Sequence, residues 1–226
     1  MKKIILLLVL ANICFQMNGK SNSVNGLPKT NKNDWELKKS EKGISVFSRC
    51  AESSKYNELK VVFQVKSSLS SIVALLNDVE SYPKWIYHCE GSKILKKDSE
   101  KHLVRYQKIV APWPVDNRDI AVEVNSYQDE KTKIVYQKIS SVPDYTPATK
   151  GHVRIREYRA MWTLKPLKNG IVQVEYELLV NPGGSIPAWV INLAVVEGPY
   201  ETSIKMKEQL LNEKYQNANY SFITNP

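Results

Sequence analysis

Three cysteines in 226 residues are too few for a disulfide scaffold. Cys14 lies in the apolar run near the start, so Cys50 and Cys89 are left for at most one bridge in an oxidising compartment. Blocks of consecutive Lys or Arg, the mark of a nucleic-acid arm, are also missing, although the 32 basic residues outnumber the 23 acids. The apolar run Ile4 to Phe15 falls short of the roughly 20 residues that a membrane span needs. There is no G-x-S-x-G elbow, no H-E-x-x-H, no C-x-x-C and no glycine-rich phosphate loop. His88, His102 and His152 stand in separate segments without acids at ligand spacing, so neither a metal nor a cofactor is expected.

What is present begins with Lys2 and Lys3, the run "IILLLVLANICF" and then small and polar residues. This is the layout of a secretory signal peptide over residues 1–19, with export to the periplasm or outside. The bulky Ile13 before Cys14 argues against a lipidated cysteine. Cleavage would remove two lysines and no acid, so the formal charge of +9 would fall by two and stay positive. A spread positive charge on an exported protein suits transient contact with anionic membrane surfaces better than nucleic acid. Residues 20–33, rich in Asn, Ser, Lys and Gly, read as a disordered lead-in. A single domain follows over 34–216, then a tail over 217–226, and a monomer is expected.

Alternation predicts strands at 43–49 and 58–66, the second placing Leu59, Val61, Phe63 and Val65 on one face. Ser67 and Ser68 offer an N-cap to a helix carrying Leu69, Ile72, Val73 and Leu76, and Pro83 closes it or opens a second short one. Strands near 92–97, 102–110, 119–127 and 132–140 suggest an antiparallel meander. "SVPDYTPATKGH" reads as an extended loop. In "VRIREYRAMWTL" the apolar parity shifts, and a bulge or bend near Arg156 to Tyr158 would bring both halves to one side. The strand carrying Val172, Val174, Tyr176, Leu178 and Val180 has one dry and one wet face. After "NPGG" a long helix follows, apolar nearly all round in its first half, with a kink expected at Gly198 and Pro199.

Within "APWPVDNRDIAVEV", Arg118 shares a strand face with Ile120, Val122 and Val124. A buried guanidinium is costly unless paired. The face therefore either holds an ion pair, with Asp116 or Asp119, or opens onto something polar.

"DVESYPKW" (78–85), "PWPVDNRD" (112–119), "PATKGHVRI" (147–155) and "NPGGSIPAWVIN" (181–192) together resemble the START (StAR-related lipid-transfer) domain. The resemblance implies an α+β helix-grip fold: a curved antiparallel sheet wrapped around a long C-terminal α-helix, with a hydrophobic tunnel for one lipid or sterol-like molecule. It implies a non-enzymatic protein that binds and shields or transfers that molecule. Arg118 would anchor a head group, and Trp189, Val190, Leu193, Ile120, Val122, Tyr176, Tyr158 and Met161 would line the ligand. The alternatives are a superfamily enzyme of aromatase or cyclase type acting on a polyketide-like substrate, and a basic module that binds membrane surfaces. The helix would act as a lid hinged at Glu197 to Tyr200, helped by the loop 141–152.

Overall fold

The computed structural model describes residues 34–226 except 52, 53, 55 and 187, and the side chains of 188–190 and 192–195 are also outside that description. The signal peptide and the disordered lead-in therefore lie outside the described residues. So do the side chains of Trp189, Val190 and Leu193.

Among the described residues ten strands form one sheet: β1 Glu36–Glu41, β2 Ile44–Cys50, β3 Asn57–Lys66, β4 Cys89–Lys97, β5 His102–Ile109, β6 Asn117–Gln128, β7 Val135–Ser141, β8 His152–Arg154, β9 Glu157–Pro166 and β10 Ile171–Asn181. Their order is β1-β2-β3-β10-β9-β7-β6-β5-β4, with β8 joined to β6. Every pairing along the main path is antiparallel, and β8 pairs β6 in parallel. The meander expected from alternation thus holds from β4 to β7, and β10 then returns to lie beside β3. Edge strand β1 was not expected, and its six residues are exposed but for one half-buried position, so no alternation marks it.

The bulge or bend expected near Arg156 to Tyr158 takes the form of a break between two strands. β8 and β9 are separate strands, because Ile155 donates its N–H to the Asp119 carbonyl and the chain then turns toward β7. Between them Ile155 enters the core.

The helices are α1 Leu69–Asn77, α2 Tyr82–Trp85, α3 Ala188–Gln209 and α4 Glu213–Gln216. Ser68 caps α1 as expected, its hydroxyl accepting from the Ser71 N–H at 3.0 Å. α3 continues as helix through Gly198 and Pro199 and ends at Gln209, sooner than its hydrophobic pattern suggested. The core joins α1, Tyr82 and Trp85 to one face of the sheet, through Val61 and Phe63 of β3, Ile120, Val122 and Val124 of β6, and Val172 and Val174 of β10. α3 packs against β2, β3 and α2. A curved sheet gripping a C-terminal helix is the helix-grip architecture.

The tail 217–226 is strapped to the domain. Ile223 is buried, Thr224 exchanges hydrogen bonds with Gln128, and Asn225 exchanges them with Ser70. Among the described residues no helix is long and apolar enough to cross a membrane.

Candidate functional site on the inner face of the sheet

Strand register decides which side chains face inward. Leu103, Arg105, Gln107 and Ile109 of β5 sit opposite Val124, Val122, Ile120 and Arg118 of β6. Tyr158, Ala160, Trp162 and Leu164 of β9 sit opposite Val180, Leu178, Tyr176 and Val174 of β10. These rows make an apolar wall, and Ile120, Val122, Tyr158 and Tyr176 all belong to it.

Two arginines interrupt the wall, Arg118 at its end and Arg105 within it. Arg105 is 6% exposed, its Nη1 donates to Gln107 Oε1 at 3.0 Å, and its guanidinium lies 4.7 Å from the centre of the Tyr82 ring. Its Nε is buried with no acceptor among the described residues. The sequence from Ala188 to Val195 contains no Asp or Glu, so the undescribed side chains of α3 supply no counter-ion either. Around Arg105 stand phenols and a thiol. Tyr158 and Tyr176 share a hydroxyl hydrogen bond of 2.5 Å, and the Tyr176 ring stacks on Trp162 at 4.0 Å. Burial pushes Tyr82 up to about 12 and also raises Tyr158, Tyr176 and Cys89, so at neutral pH all four keep their protons. The site is a positive centre among hydrogen-bond donors, enclosed by hydrocarbon.

Arg118 is placed differently from the expected ion pair. Its guanidinium donates to backbone carbonyls: Pro182 at 3.3 Å, Gly183 at 3.1 Å, and Asp116. Of the two carboxylates expected for it, Asp116 offers its backbone carbonyl instead, and Asp119 is fully buried on the opposite parity and pairs with Arg154 at 2.7 Å. Arg118 thus pins the loop that leads into α3. Gly183 and Gly184 have φ of 64° and 66°, a region where a side chain is strained, and a Cβ on Gly183 would meet the Val153 side chain at 3.3 Å. Met161 is corrected outright. It lies on the outward parity of β9, between Lys138 and Glu177, because the break before β9 sets the inward row at Tyr158, Ala160 and Trp162.

Residues 65–196 match the family model described as polyketide cyclase/dehydrase and lipid transport. The chain belongs to that family. Within it the chain is a START-type member. It is similar to a solved STAR-related lipid transfer protein of Xanthomonas axonopodis, at 32% identity over 79% of this chain and 99% of that one, with a TM-score of 0.73. It is 36% identical to an uncharacterized protein of Pseudomonas aeruginosa over 75% of this chain and 83% of that protein. It is also 27% identical to the phosphatidylcholine transfer protein of Rattus norvegicus, over 73% and 78% respectively.

Arg105, Gln107, Tyr82, Cys89 and Trp162 of this START-type site escaped the sequence reading. On β5 the rows Leu103-Arg105-Gln107-Ile109 and Val104-Tyr106-Lys108 are equally mixed, so alternation alone could not say which faces inward. Among the described residues no cluster of His, Cys, Asp and Glu could hold a metal ion.

Proposed function

We propose that this protein takes up one lipid between the inner wall and α3, shields it from water, and moves it between membranes. Arg105 carries the reading: it is a buried guanidinium with no carboxylate partner among the described residues, set in an apolar wall. An unpaired interior charge costs several kcal/mol unless an anion joins it, and a phospholipid phosphate is such an anion. The acyl chains would lie along Ile120, Val122, Tyr158 and Tyr176, gaining about 25 cal/mol for each Å2 removed from water. In the same reading Trp189, Val190 and Leu193 face the ligand from α3, while Arg118 holds the mouth rather than the head group. Export through residues 1–19 places the transfer in the periplasm or outside the cell.

α3 would open at Glu197 to Tyr200. This is supported by the anchors that begin there. Lys39 holds both Glu197 oxygens at 3.0 Å, Tyr200 donates to Glu41 at 3.3 Å, and Tyr87 donates its N–H to Thr202 Oγ1 at 3.1 Å. Trp113, 90% exposed in the loop between β5 and β6, would touch the membrane first. Lipid extraction and native mass spectrometry of the purified protein test the proposal. A co-purified phospholipid at one per chain is expected, and recovery of none, with no uptake from vesicles, overturns it.

One observation favours a second reading, an enzyme of cyclase type. The Tyr158–Tyr176 pair and Arg105 are converging ionisable groups inside the fold. Both phenols stay protonated at neutral pH, so they could act as acids toward a carbonyl oxygen and not as bases. Loss of turnover of a poly-β-ketone probe on Tyr176→Phe would support this reading, and no turnover by the unaltered protein would end it.

A further inference from the structure

The outer face of the sheet carries a cavity on the side away from the inner wall. A groove of about 500 Å3 runs between the β4–β5 ladder and the loop before β8. Gly91, Lys93, Tyr106 and Lys108 line it from the ladder, and Thr146 and Thr149 line it from the loop, which makes the opposite wall. The register explains the opening, since Gly91 is paired with Lys108 and Lys93 with Tyr106, so one glycine leaves a gap between two lysines. A Cβ on Gly91 would meet nothing within 4 Å.

The wall is held rigidly in place. The Arg154 guanidinium donates to the carbonyls of Pro143, Thr146 (2.8 Å) and Pro147 (2.9 Å) while pairing with Asp119. Asp119 also accepts from the Thr149 N–H at 2.7 Å and from Tyr106 at 2.8 Å. The loop's acceptors and the buried carboxylate are thus satisfied internally, and the Thr149 hydroxyl meets that of Tyr106, while the Lys93 ammonium has the face of the Tyr106 ring at 5.8 Å and no carboxylate among the described residues. Neither Lys93 nor Lys108 joins any ion pair among the described residues. Glu90, the carboxylate of the lining, lies 3.8 Å from His152 Nε2. At about 30 Å3 per water the groove holds on the order of fifteen waters, more than a bare phosphate would displace.

We propose that this groove binds a phosphorylated polyol, with the phosphate between Lys93 and Lys108 and the hydroxyl groups against Thr146 and Thr149. Two ammonium donors favour a doubly charged phosphomonoester over a diester, and the hydroxyl wall favours a sugar or inositol ring over an acyl chain. The same chemistry is offered by a soluble sugar phosphate and by a phosphoinositide head group.

Two arms separate these sources. Calorimetric titration with glucose 6-phosphate, with glucose and inorganic phosphate as controls, tests the soluble form. Flotation with phosphatidylcholine vesicles, with and without phosphatidylinositol 4-phosphate, tests the lipid. The full chain should bind at least one phosphorylated probe at low salt, and glucose not at all. The variant Gly91→Leu, which fills the groove and keeps both lysines, and the double variant K93Q/K108Q should each weaken that binding at least about tenfold. Both should leave the thermal midpoint and interior lipid uptake as they were, because no residue of the inner wall is touched. Binding in one arm alone identifies the source. Binding in neither arm, or binding that survives both variants, overturns the proposal.

Discussion

Replacing Arg105 with Met should separate the stability of the empty protein from its affinity for phospholipid. Met reaches nearly as far along the wall and carries no charge. In the empty protein the change relieves a buried cation, worth several kcal/mol. Against that gain, Gln107 loses the donor 3.0 Å from its Oε1, about 1–3 kcal/mol, and Tyr82 loses a cation 4.7 Å from its ring centre, about 2 kcal/mol when desolvated. These terms nearly cancel, so the unfolding free energy should stay within about 2 kcal/mol of the unaltered protein. A bound phosphate loses one or two charge-assisted hydrogen bonds with nothing in return, at about 1.5–3 kcal/mol each. Phospholipid affinity should therefore fall roughly 10- to 25,000-fold, and affinity for diacylglycerol, which has no phosphate, should hold. Guanidinium unfolding and competition between labelled lipids in vesicle uptake measure the two quantities. A variant that loses more than about 4 kcal/mol of stability yet keeps its preference for phospholipid over diacylglycerol would show that Arg105 is a structural group, and the reasoning would fail.

Other perturbations have equally definite signs. Burial raises Asp119, but Arg154, the Thr149 N–H and Tyr106 outweigh it and bring it down to about 2 from an ordinary 3.8. Its contribution, roughly 2–3 kcal/mol, should be complete above pH 4 and be lost as pH falls through 2; in urea titrations Asp119→Asn should flatten that limb while costing about 3–5 kcal/mol at neutral pH. His102 is held by Glu123 and Asp98, each at 2.8 Å, which raises it above the ordinary 6.5, so its stabilisation is complete below pH 6.5 and lost as pH climbs through the raised value. His102→Gln should remove that slope from the thermal midpoint, and a slope left unchanged would place its origin elsewhere. Lys39→Gln frees Glu197 and should speed lipid loading in stopped flow without changing capacity; equal rates would remove the hinge at Glu197 from the mechanism. Trp113→Ala should weaken vesicle binding by about 1–2 kcal/mol with little change in stability, since the ring is 90% exposed.

The sequence made the architecture legible wherever one face of an element is wet. Alternation in β3, and in β10 as far as Val174, corresponds directly to buried rows, whereas α1 also buries Ser70 and Ser71 between its apolar positions. It was blind where burial is two-sided or absent. β6 buries Asp119 and Ala121 as well as Ile120 and Val122, because the loop pinned by Arg154 covers its outer face. β1 buries almost nothing, and the tail over 217–226 is fastened through Gln128, Ser70 and Glu100. The candidate site divides the same way. Ile120, Val122, Tyr158 and Tyr176 were placed on the inner face by parity, whereas Arg105 was missed since charge within a strand usually signals the wet side. Arg118 drew attention as the charged residue of a recognisable stretch, yet its partners are carbonyls, which no residue type announces.

The pairing of β3 with β10 bears on how the chain is made. Lys66 of β3 lies opposite Ile171 of β10, and all of β4 to β9 is synthesised between them. At about 5–20 residues per second the β1–β3 ladder waits on the order of 5 to 20 s with the β3 edge, including Val61, Phe63 and Val65, unpaired. Such an edge can recruit a neighbouring nascent chain during that interval. The hazard ends only when β10 emerges, so variants that weaken β10 should aggregate during expression even where the finished fold tolerates them.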